Sequence, residues 1–426
     1  MYYSQISKEQ LNDECRALRA QYDELVKKEL KLDMSRGKPD TEQVSLSDGI
    51  LETLRSGGDC ISENGTDCRN YGVLDGLPEA KKLFSDILDI PPENILVGGC
   101  SSLSLMYDEV VRAMLFGVAG GKLPWSAQGK IKFLCPVPGY DRHFAICEHM
   151  GIEMINIPMG QDGPDMDMIE RYVSEDESVK GIWCVPKYSN PEGTVYSDET
   201  VRRFAALKPK ADDFRIFWDN AYAVHDLYGE IKLANLFTLA HEYGNDDLPI
   251  IFTSTSKISY AGAGLAAMAA SKANIDKTKK SLAIQTIGYD KLNQLRHVKY
   301  FKNAAGVNEH MKKHAALLRP KFEAVIRAFR DELGPLGVAS WSEPRGGYFI
   351  SLNVVPGCAK RVYELARGAG VTLTTVGATF PYGIDPLDRN LRIAPSYPPV
   401  SELKEAVHVL CLCVRLAAAE RALSEK

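Results

Sequence analysis

Apolar strand-type segments alternate with helical segments from about residue 67 to residue 272, and no other feature constrains the fold of this chain as strongly. Helical patterns occur at LPEAKKLFSDIL and SLSLMYDEVVRAML, and short strand patterns at NILVGG, IKFLCP, GIWCVP, FRIFWD and IIFTS. Strands that are apolar along their whole length are typical of parallel sheets covered on both faces. The alternation therefore predicts an α/β fold with a mostly parallel central sheet covered by helices.

A second, smaller domain is expected because 426 residues exceed the roughly 150 residues of one simple domain. Ser7 and Gln10 form a predicted capping box before an N-terminal helix. Long helical stretches follow residue 272, together with strands at RGGYFISLNVV and NLRIAPS. We predict a large domain at residues 56–310 and a smaller α+β domain built from residues 1–55, with an N-terminal arm, and residues 311–426.

Composition restricts the partners of the chain. A formal net charge of -5 provides no basic surface for nucleic acid, so small molecules are the expected partners. The N-terminal segment lacks the pattern of a signal peptide, and no apolar run is long enough to cross a bilayer, so we expect a cytoplasmic protein without membrane contact. The ten cysteines show no CxxC spacing, and we expect reduced thiols and no metal site.

Side chains that can take part in catalysis or binding directly follow the predicted strands. The segments GGCSS, PGYDRHF, KYSNPEG, DNAY and STSKIS follow the five strands in turn. Ligands of open parallel sheets bind at the carboxyl ends of the strands, so these segments are expected to converge. The last segment contains Lys257, a single lysine among small, mostly uncharged residues. Such a lysine is either a surface loop residue or a reactive amine.

In chain order, the segments NYGVLDGLPEAKK, GGCSS, PGYDRHF, NPEG, DNAY, SK and RIAPS resemble the signature of fold-type I pyridoxal-phosphate enzymes, in particular the class I/II aminotransferases. The finer pattern of SRGKPD, PKYSNPEGTVYS and TSTSKISYAGAG resembles the MocR-like subgroup, which includes bacterial aspartate aminotransferases. The resemblance covers nearly the whole chain. It implies an enzyme that uses pyridoxal 5'-phosphate to move an amino group between an amino acid and a 2-oxo acid, with aspartate or glutamate and 2-oxoglutarate favoured.

The resemblance assigns the central chemistry to four residues. It implies that Lys257 holds the cofactor aldehyde as a Schiff base and then carries the proton as general acid and base. It places Asp219 opposite the ring nitrogen, where a carboxylate favours the protonated ring, although a helix N-cap also explains this residue. Tyr222 and Asn190 are implied to hydrogen-bond the phenolate oxygen of the ring. The alternatives are a buried structural tyrosine and an Asx turn before a proline.

The resemblance also implies a phosphate site. Backbone amides, the helix dipole and the hydroxyls of Ser101 and Ser102 favour an anion at the helix start after the two glycines, and plain helix capping is the alternative. Ser254 matches a second phosphate-binding position. Tyr71 matches the position from which a tyrosine of the other subunit reaches the phosphate, which implies a homodimer with shared active sites.

Stacking and substrate binding are assigned to further residues by the resemblance. Tyr140 is expected to stack on the cofactor ring, and His143 is a competing candidate, a hydrogen-bonded neighbour or a surface imidazole. Arg392 is implied to bind the substrate α-carboxylate through two parallel hydrogen bonds, with Asn190 nearby, and an ordinary exposed arginine is the alternative. Gly37 is expected to let the backbone approach the same carboxylate, or to form a simple turn.

One departure from the family pattern and one open assignment concern charged groups. Leu265 stands eight residues after Lys257, where many relatives carry a phosphate-binding arginine. Lys187 and Arg142 are candidates for the missing cation. A cation for a distal substrate carboxylate is expected from the partner subunit, and a solvated basic helix is the alternative. The candidates in YDKLNQLRHVKYFKN are Lys291, Arg296, His297 and Lys299.

Three other functions stay open at this stage. The same cofactor serves lyases and decarboxylases, because which bond breaks at the α-carbon depends on its orientation to the ring. Alanine with glyoxylate is the second choice of substrates for an aminotransferase. A ligand sensor with an aminotransferase-like domain behind a winged helix is disfavoured, because the matching region begins within about forty residues of the N-terminus and no basic recognition element is present.

Overall fold

The computed structural model describes residues 3–426. Its helices in this range are α1 (Lys8–Val26), α2 (Thr41–Ser45), α3 (Pro78–Leu88), α4 (Ser102–Phe116), α5 (Asp141–His149), α6 (Met166–Glu175), α7 (Asp198–Ala205), α8 (Leu236–Glu242), α9 (Lys272–Gln285), α10 (Lys291–Phe301), α11 (Ala304–Glu332), α12 (Ala359–Gly368) and α13 (Val400–Ser424). Its strands are β1 (Leu32–Asp33), β2 (Ile95–Val97), β3 (Lys132–Val137), β4 (Glu153–Gly160), β5 (Gly163–Pro164), β6 (Val179–Cys184), β7 (Arg215–Asp219), β8 (Pro249–Ser254), β9 (Ala266–Ala270), β10 (Ala339–Trp341), β11 (Ile350–Val354), β12 (Val371–Thr372) and β13 (Asn390–Ile393).

The central sheet has the strand order β2-β9-β8-β7-β6-β3-β4-β5. The strands β4, β3, β6, β7 and β8 pair in parallel, whereas β9 pairs antiparallel with both β8 and β2. Consequently β2 runs in the same direction as β8, and the carboxyl ends of β2, β3, β6, β7 and β8 lie along one edge. Every residue of β6, β7 and β8 is buried, and a separate apolar cluster covers each face of the sheet. The predicted α/β fold is confirmed.

The two ends of the chain pack together beside this sheet. The strands β10, β11 and β13 form an antiparallel sheet, and β1 pairs with β12 in parallel. Residues from α1, α11 and α13, such as Leu18, Val325 and Leu410, share one apolar cluster with this second sheet. Helix α11 is continuous across residues 310 and 311, the predicted domain boundary. The division into residues 1–55, 56–310 and 311–426 stays a prediction.

Three global properties of the described residues bear on function. Within residues 3–426, no helix is both long enough and apolar enough to span a membrane. The same residues contain no group of three or more His, Cys, Asp or Glu placed to hold a metal ion. All ten cysteines are free, and all except Cys15 and Cys100 are buried or nearly so.

Candidate active site

The predicted site residues meet at the edge where the parallel strands end. Asp219 is the last residue of β7 and Ser254 is the last residue of β8, directly before the turn that carries Lys257. Asn190 lies in the loop after β6. Arg392 reaches this edge from β13 of the second sheet, and its Nη1 donates a hydrogen bond to Oδ1 of Asn190 at 3.4 Å. The fold therefore brings together residues that are far apart in the sequence.

The amine of Lys257 lies among aromatic rings. Its Nζ is 5.2 Å from the ring centroid of Tyr222 and 5.9 Å from that of Tyr348. Burial lowers the pKa of Lys257, the nearby carboxylate of Asp219 raises it in part, and the positive charge of Arg392 lowers it. A lowered pKa increases the fraction of neutral, nucleophilic amine. This environment differs from that of a solvated loop lysine.

The two carboxylate oxygens of Asp219 have different surroundings. The residue is 3% exposed, and its Oδ2 lies 3.1 Å from Nε2 of His143. Its Oδ1 is buried and has no hydrogen-bond partner among residues 3–426. A buried acceptor without a donor is costly, so this geometry favours a ligand that donates a hydrogen bond to Oδ1. No described helix begins directly after Asp219, since the next one begins at Leu236, so the capping alternative is wrong.

The rings of His143 and Tyr140 lie next to Asp219 but have different exposure. His143 is 1% exposed and stacks on Trp183, with ring centroids 4.4 Å apart. Tyr140 contacts His143 edge-on at 4.9 Å and stays partly exposed. Burial raises the pKa of Tyr140 to about 12, so its ring is a neutral phenol at physiological pH. Of the three roles left open for His143, the geometry supports the hydrogen-bonded neighbour.

The loop between β2 and α4 presents a helix N-terminus at the same edge. Helix α4 begins at Ser102, and the N-cap residue Ser101 makes no capping hydrogen bond through its side chain. Plain capping therefore does not explain Ser101. The hydroxyl of Ser254 donates to Ser256 Oγ, which donates to the carbonyl of Cys100, both at 3.2 Å. These contacts connect the turn of Lys257 to a helix start of the kind that binds phosphate.

Three buried histidines contact three consecutive residues of the lysine turn. The contacts are His225 Nε2 to Lys257 O at 3.3 Å, His310 Nε2 to Ile258 O at 2.9 Å, and His297 Nε2 to Ser259 Oγ at 2.8 Å. Burial lowers the pKa of all three imidazoles, in His297 to about 4. The rings are therefore neutral at physiological pH. They fix the path of the turn without adding a positive charge beside the amine.

Arg392 is enclosed and prepared to bind a carboxylate. Its Nη1 donates to Asp141 Oδ1 at 2.8 Å, and its Nε donates to Thr374 Oγ1 at 3.4 Å. Its Cζ lies 5.0 Å from the ring centroid of Phe349. The side chain is only 9% exposed, so the alternative of an ordinary exposed strand arginine is wrong.

Gly37 acts on Arg392 through a neighbouring ring. A Cβ atom at Gly37 would lie 2.1 Å from the ring of Phe349, the same ring that packs against Arg392. Only glycine therefore lets this ring pack so closely behind the guanidinium group. A simple turn alone does not explain why glycine is needed at this contact.

The structure shows the surroundings of Leu265 and of the two candidate cations for the proposed phosphate site. Leu265 is 2% exposed and belongs to the apolar cluster on one sheet face. Lys187 is buried, lies 3.1 Å from the carboxylate of Asp226 and donates to the carbonyl of Ala223 at 2.8 Å, so its charge is already paired within the chain. Arg142 is exposed in the first turn of α5.

The four candidates on α10 also differ. His297 is neutral, so the prediction that it supplies a positive charge is wrong. Lys291 donates from Nζ to the carbonyl of Gly72 at 3.0 Å, and Lys299 is exposed. Arg296 donates from Nη2 to Asn293 at 2.8 Å, but its buried Nε has no partner among residues 3–426. Arg296 is therefore the candidate with an unused buried donor.

The ring of Tyr71 is 82% exposed, although the adjacent backbone is tightly held. Lys291 holds the carbonyl of Gly72, and a Cβ atom at Gly288 would lie 2.6 Å from that carbonyl oxygen. A fixed backbone thus projects an exposed aromatic ring away from the chain.

Some residues of the site were not singled out from the sequence, among them Asp141, Tyr348 and Phe349. The last two lie in the segment RGGYF, which was predicted only as a strand. Its two glycines are the signal that was available, because Gly346 and Gly347 both pack against Tyr188 with no space for a side chain.

Sequence comparison identifies the family of this chain. A family model described as aspartate amino-transferase matches residues 6–426. The chain belongs to the aspartate amino-transferase family. An aspartate aminotransferase from Corynebacterium glutamicum is 46% identical over 404 residues, which cover 95% of this chain and 93% of that protein.

Solved structures of aminotransferases share the fold. A crystal structure of an aspartate transaminase from Corynebacterium glutamicum superposes with a TM-score of 0.97 at 44% identity, and 99% of each chain is covered. An alpha-aminoadipate aminotransferase from Thermus thermophilus, complexed with N-(5'-phosphopyridoxyl)-L-leucine, has a TM-score of 0.73 at 20% identity with 93% of each chain covered, which shows the fold alone.

Membership of the aspartate amino-transferase family makes the chain an aminotransferase with pyridoxal phosphate as its cofactor. The residues present fit this group. The Oδ1 of Asp219, which has no partner in the described part of the chain, fits a protonated ring nitrogen, the Lys257 amine fits an aldehyde, and the start of α4 fits a phosphate. When bound, the cofactor supplies an electron-accepting ring that stabilises negative charge at the substrate α-carbon. The predicted enzyme class and cofactor are confirmed.

Proposed function

We propose that this aminotransferase transfers the amino group between aspartate or glutamate and a 2-oxo acid, with 2-oxoglutarate as the acceptor. The observation that carries the proposal is the similarity to an aspartate aminotransferase over almost the entire length of both chains. The enclosed Arg392 supports it, because both amino acids and 2-oxo acids carry the carboxylate that an arginine binds. We also assign the chain to the MocR-like subgroup on the segments that carry that resemblance. The cytoplasmic location stays a prediction.

The proposed roles of the residues follow from their positions. Lys257 attaches the cofactor and moves the proton at the substrate α-carbon, and Asp219 keeps the ring nitrogen protonated. Arg392 orients the substrate through its α-carboxylate, which sets the bond to be broken perpendicular to the ring. The remaining cofactor contacts are assigned to Ser101, Ser102, Tyr140, Asn190, Tyr222 and Ser254.

We propose that the active enzyme is a homodimer in which Tyr71 completes the phosphate site of the other copy. The 82% exposure of this ring on a fixed backbone supports the assignment. Arg296 of the second copy is the proposed cation for the distal substrate carboxylate, since its buried Nε lacks an acceptor among the described residues. Light scattering is expected to give twice the chain mass of 47.1 kDa. A mass of one chain in the active enzyme contradicts shared sites.

The test of the proposed function is the formation of glutamate from 2-oxoglutarate with aspartate as donor, in the wild type and in Arg392→Leu. The variant is expected to raise the KM for aspartate by about 10²-fold or more, because a hydrogen-bonded pair with a carboxylate is lost, whereas cofactor binding changes little. Equal losses of substrate and cofactor binding indicate a structural role for Arg392.

The same assay separates the alternative functions. Release of ammonia, sulfide or carbon dioxide without formation of glutamate contradicts the proposal in favour of a lyase or decarboxylase. A strong preference for alanine with glyoxylate contradicts only the choice of substrates.

A further inference from the structure

The carboxylate of Asp141 accepts a hydrogen bond from the guanidinium group of Arg392, and the family resemblance does not imply this contact. Asp141 is the first residue of α5 and lies 251 positions from Arg392 in the sequence. The 2.8 Å bond from Nη1 to Oδ1 of Asp141 is the shortest hydrogen bond of this guanidinium group to the described residues. The remaining acceptors, Asn190 and Thr374, are neutral and lie at 3.4 Å.

The chemistry of this contact matches that of a substrate. An α-amino acid and a 2-oxo acid both present a carboxylate, and a carboxylate is also what Asp141 presents to the guanidinium group. Burial of an unpaired arginine is costly, so a carboxylate from the chain itself stabilises the enclosed cation. Such a carboxylate also neutralises the charge that attracts the substrate.

The exposure of the two partners indicates which of them can move. The side chain of Arg392 is 9% exposed, and it is held by Asn190, Thr374 and the ring of Phe349. The side chain of Asp141 is 33% exposed, and its only ion pair among the described residues is the one with Arg392. Releasing Asp141 to solvent therefore exposes a group that is already partly hydrated, whereas releasing Arg392 breaks several contacts.

We propose that Asp141 is an internal competitor for the α-carboxylate site, which pairs with Arg392 before substrate binds and yields this position to the substrate. The proposal rests on the proposed function, in which Arg392 binds the α-carboxylate. Each binding event exchanges one carboxylate for another on the same cation. Asp141 thereby weakens the binding of both the amino donor and the 2-oxo acceptor, and it raises the KM values of both.

Asp141→Asn tests the proposal in the holoenzyme, with maleate as an unreactive carboxylate probe. The variant is expected to bind maleate about tenfold more tightly in calorimetric titrations, because the competing negative charge is removed from the site. The KM values for aspartate and 2-oxoglutarate are expected to fall by a similar factor, with a smaller change in kcat. Asp198→Asn is the matched control, since Asp198 is the exposed first residue of α7 and is expected to leave maleate binding unchanged.

Unchanged or weaker maleate binding by Asp141→Asn, in a variant with the thermal midpoint of the wild type, overturns the proposal and makes Asp141 a structural support of Arg392. If the asparagine variant does not fold, Asp141→Ser carries the same expectation and the same contradiction. A wild type that neither binds maleate nor forms glutamate overturns the proposed function itself. If the wild type binds maleate and forms glutamate, and Asp141→Asn binds maleate no more tightly than the wild type, only the proposed role of Asp141 is overturned.

Discussion

Replacement of Lys257 with alanine is expected to lower kcat for transamination by at least about 10⁴-fold while the protein still folds. Two functions are lost together. The variant has no amine to attach the cofactor aldehyde, and it has no group at this position to move the proton at the substrate α-carbon. The three histidines at the turn contact its backbone or Ser259 through Nε2, so they are expected to support the turn rather than to replace the amine.

Two quantities are measured: the rate of glutamate formation and the visible absorbance of the cofactor attached to the lysine. That absorbance is expected to be absent in the variant. Lys272→Ala is the control, because Lys272 is an exposed lysine at the start of α9 whose only ion-pair partner among the described residues is Asp276 on the same helix. Its kcat is expected to equal that of the wild type. Substantial turnover by Lys257→Ala, at an unchanged thermal midpoint, contradicts the assignment of the reactive amine.

Asp219→Asn is expected to reduce kcat by about 10²- to 10³-fold, with a smaller effect on cofactor retention. The carboxylate stabilises a positive charge on the ring nitrogen, and a neutral amide of the same size does not. The effect is expected at Oδ1, because this oxygen is buried without a partner in residues 3–426, whereas Oδ2 lies within hydrogen-bond distance of His143.

His143→Gln separates this role from a purely structural one. The variant keeps the side chain of Asp219 and removes only the imidazole at Oδ2, so it is expected to lose much less activity than Asp219→Asn. Equal losses in the two variants indicate that Asp219 serves mainly to hold His143. Spectral titration of the bound cofactor adds an independent readout, since only Asp219→Asn is expected to shift the protonation of the ring.

The central sheet could be predicted where the strands are mostly apolar, and not elsewhere. Strands β6, β7 and β8 are buried at every position, and each contains a short apolar run, GIWC, IFW and PIIF. Strand β9 reads AAMAA, and alanine is the strongest helix former, so only its position between β8 and β2 makes it a strand. Strand β4 alternates irregularly between buried and exposed residues, which gives a weak pattern.

The candidate site could be predicted where it depends on strand ends. Asp219 and Ser254 end strands, and Lys257 follows one, so the rule for parallel sheets places them together. Asp141 could not be paired with Arg392 from sequence, because that contact depends on how the second sheet packs against the first. His297 has the sequence pattern of a basic helix face, and only its burial shows that the ring is neutral.

The central claim is that one amine, that of Lys257, holds the cofactor. Borohydride reduction of the pyridoxal-phosphate-loaded protein, followed by proteolysis and mass spectrometry, measures this attachment directly. The phosphopyridoxyl mass is expected on the peptide that contains Lys257 and on no other peptide. Its stoichiometric presence on a different lysine, with Lys257 unmodified, would contradict the account.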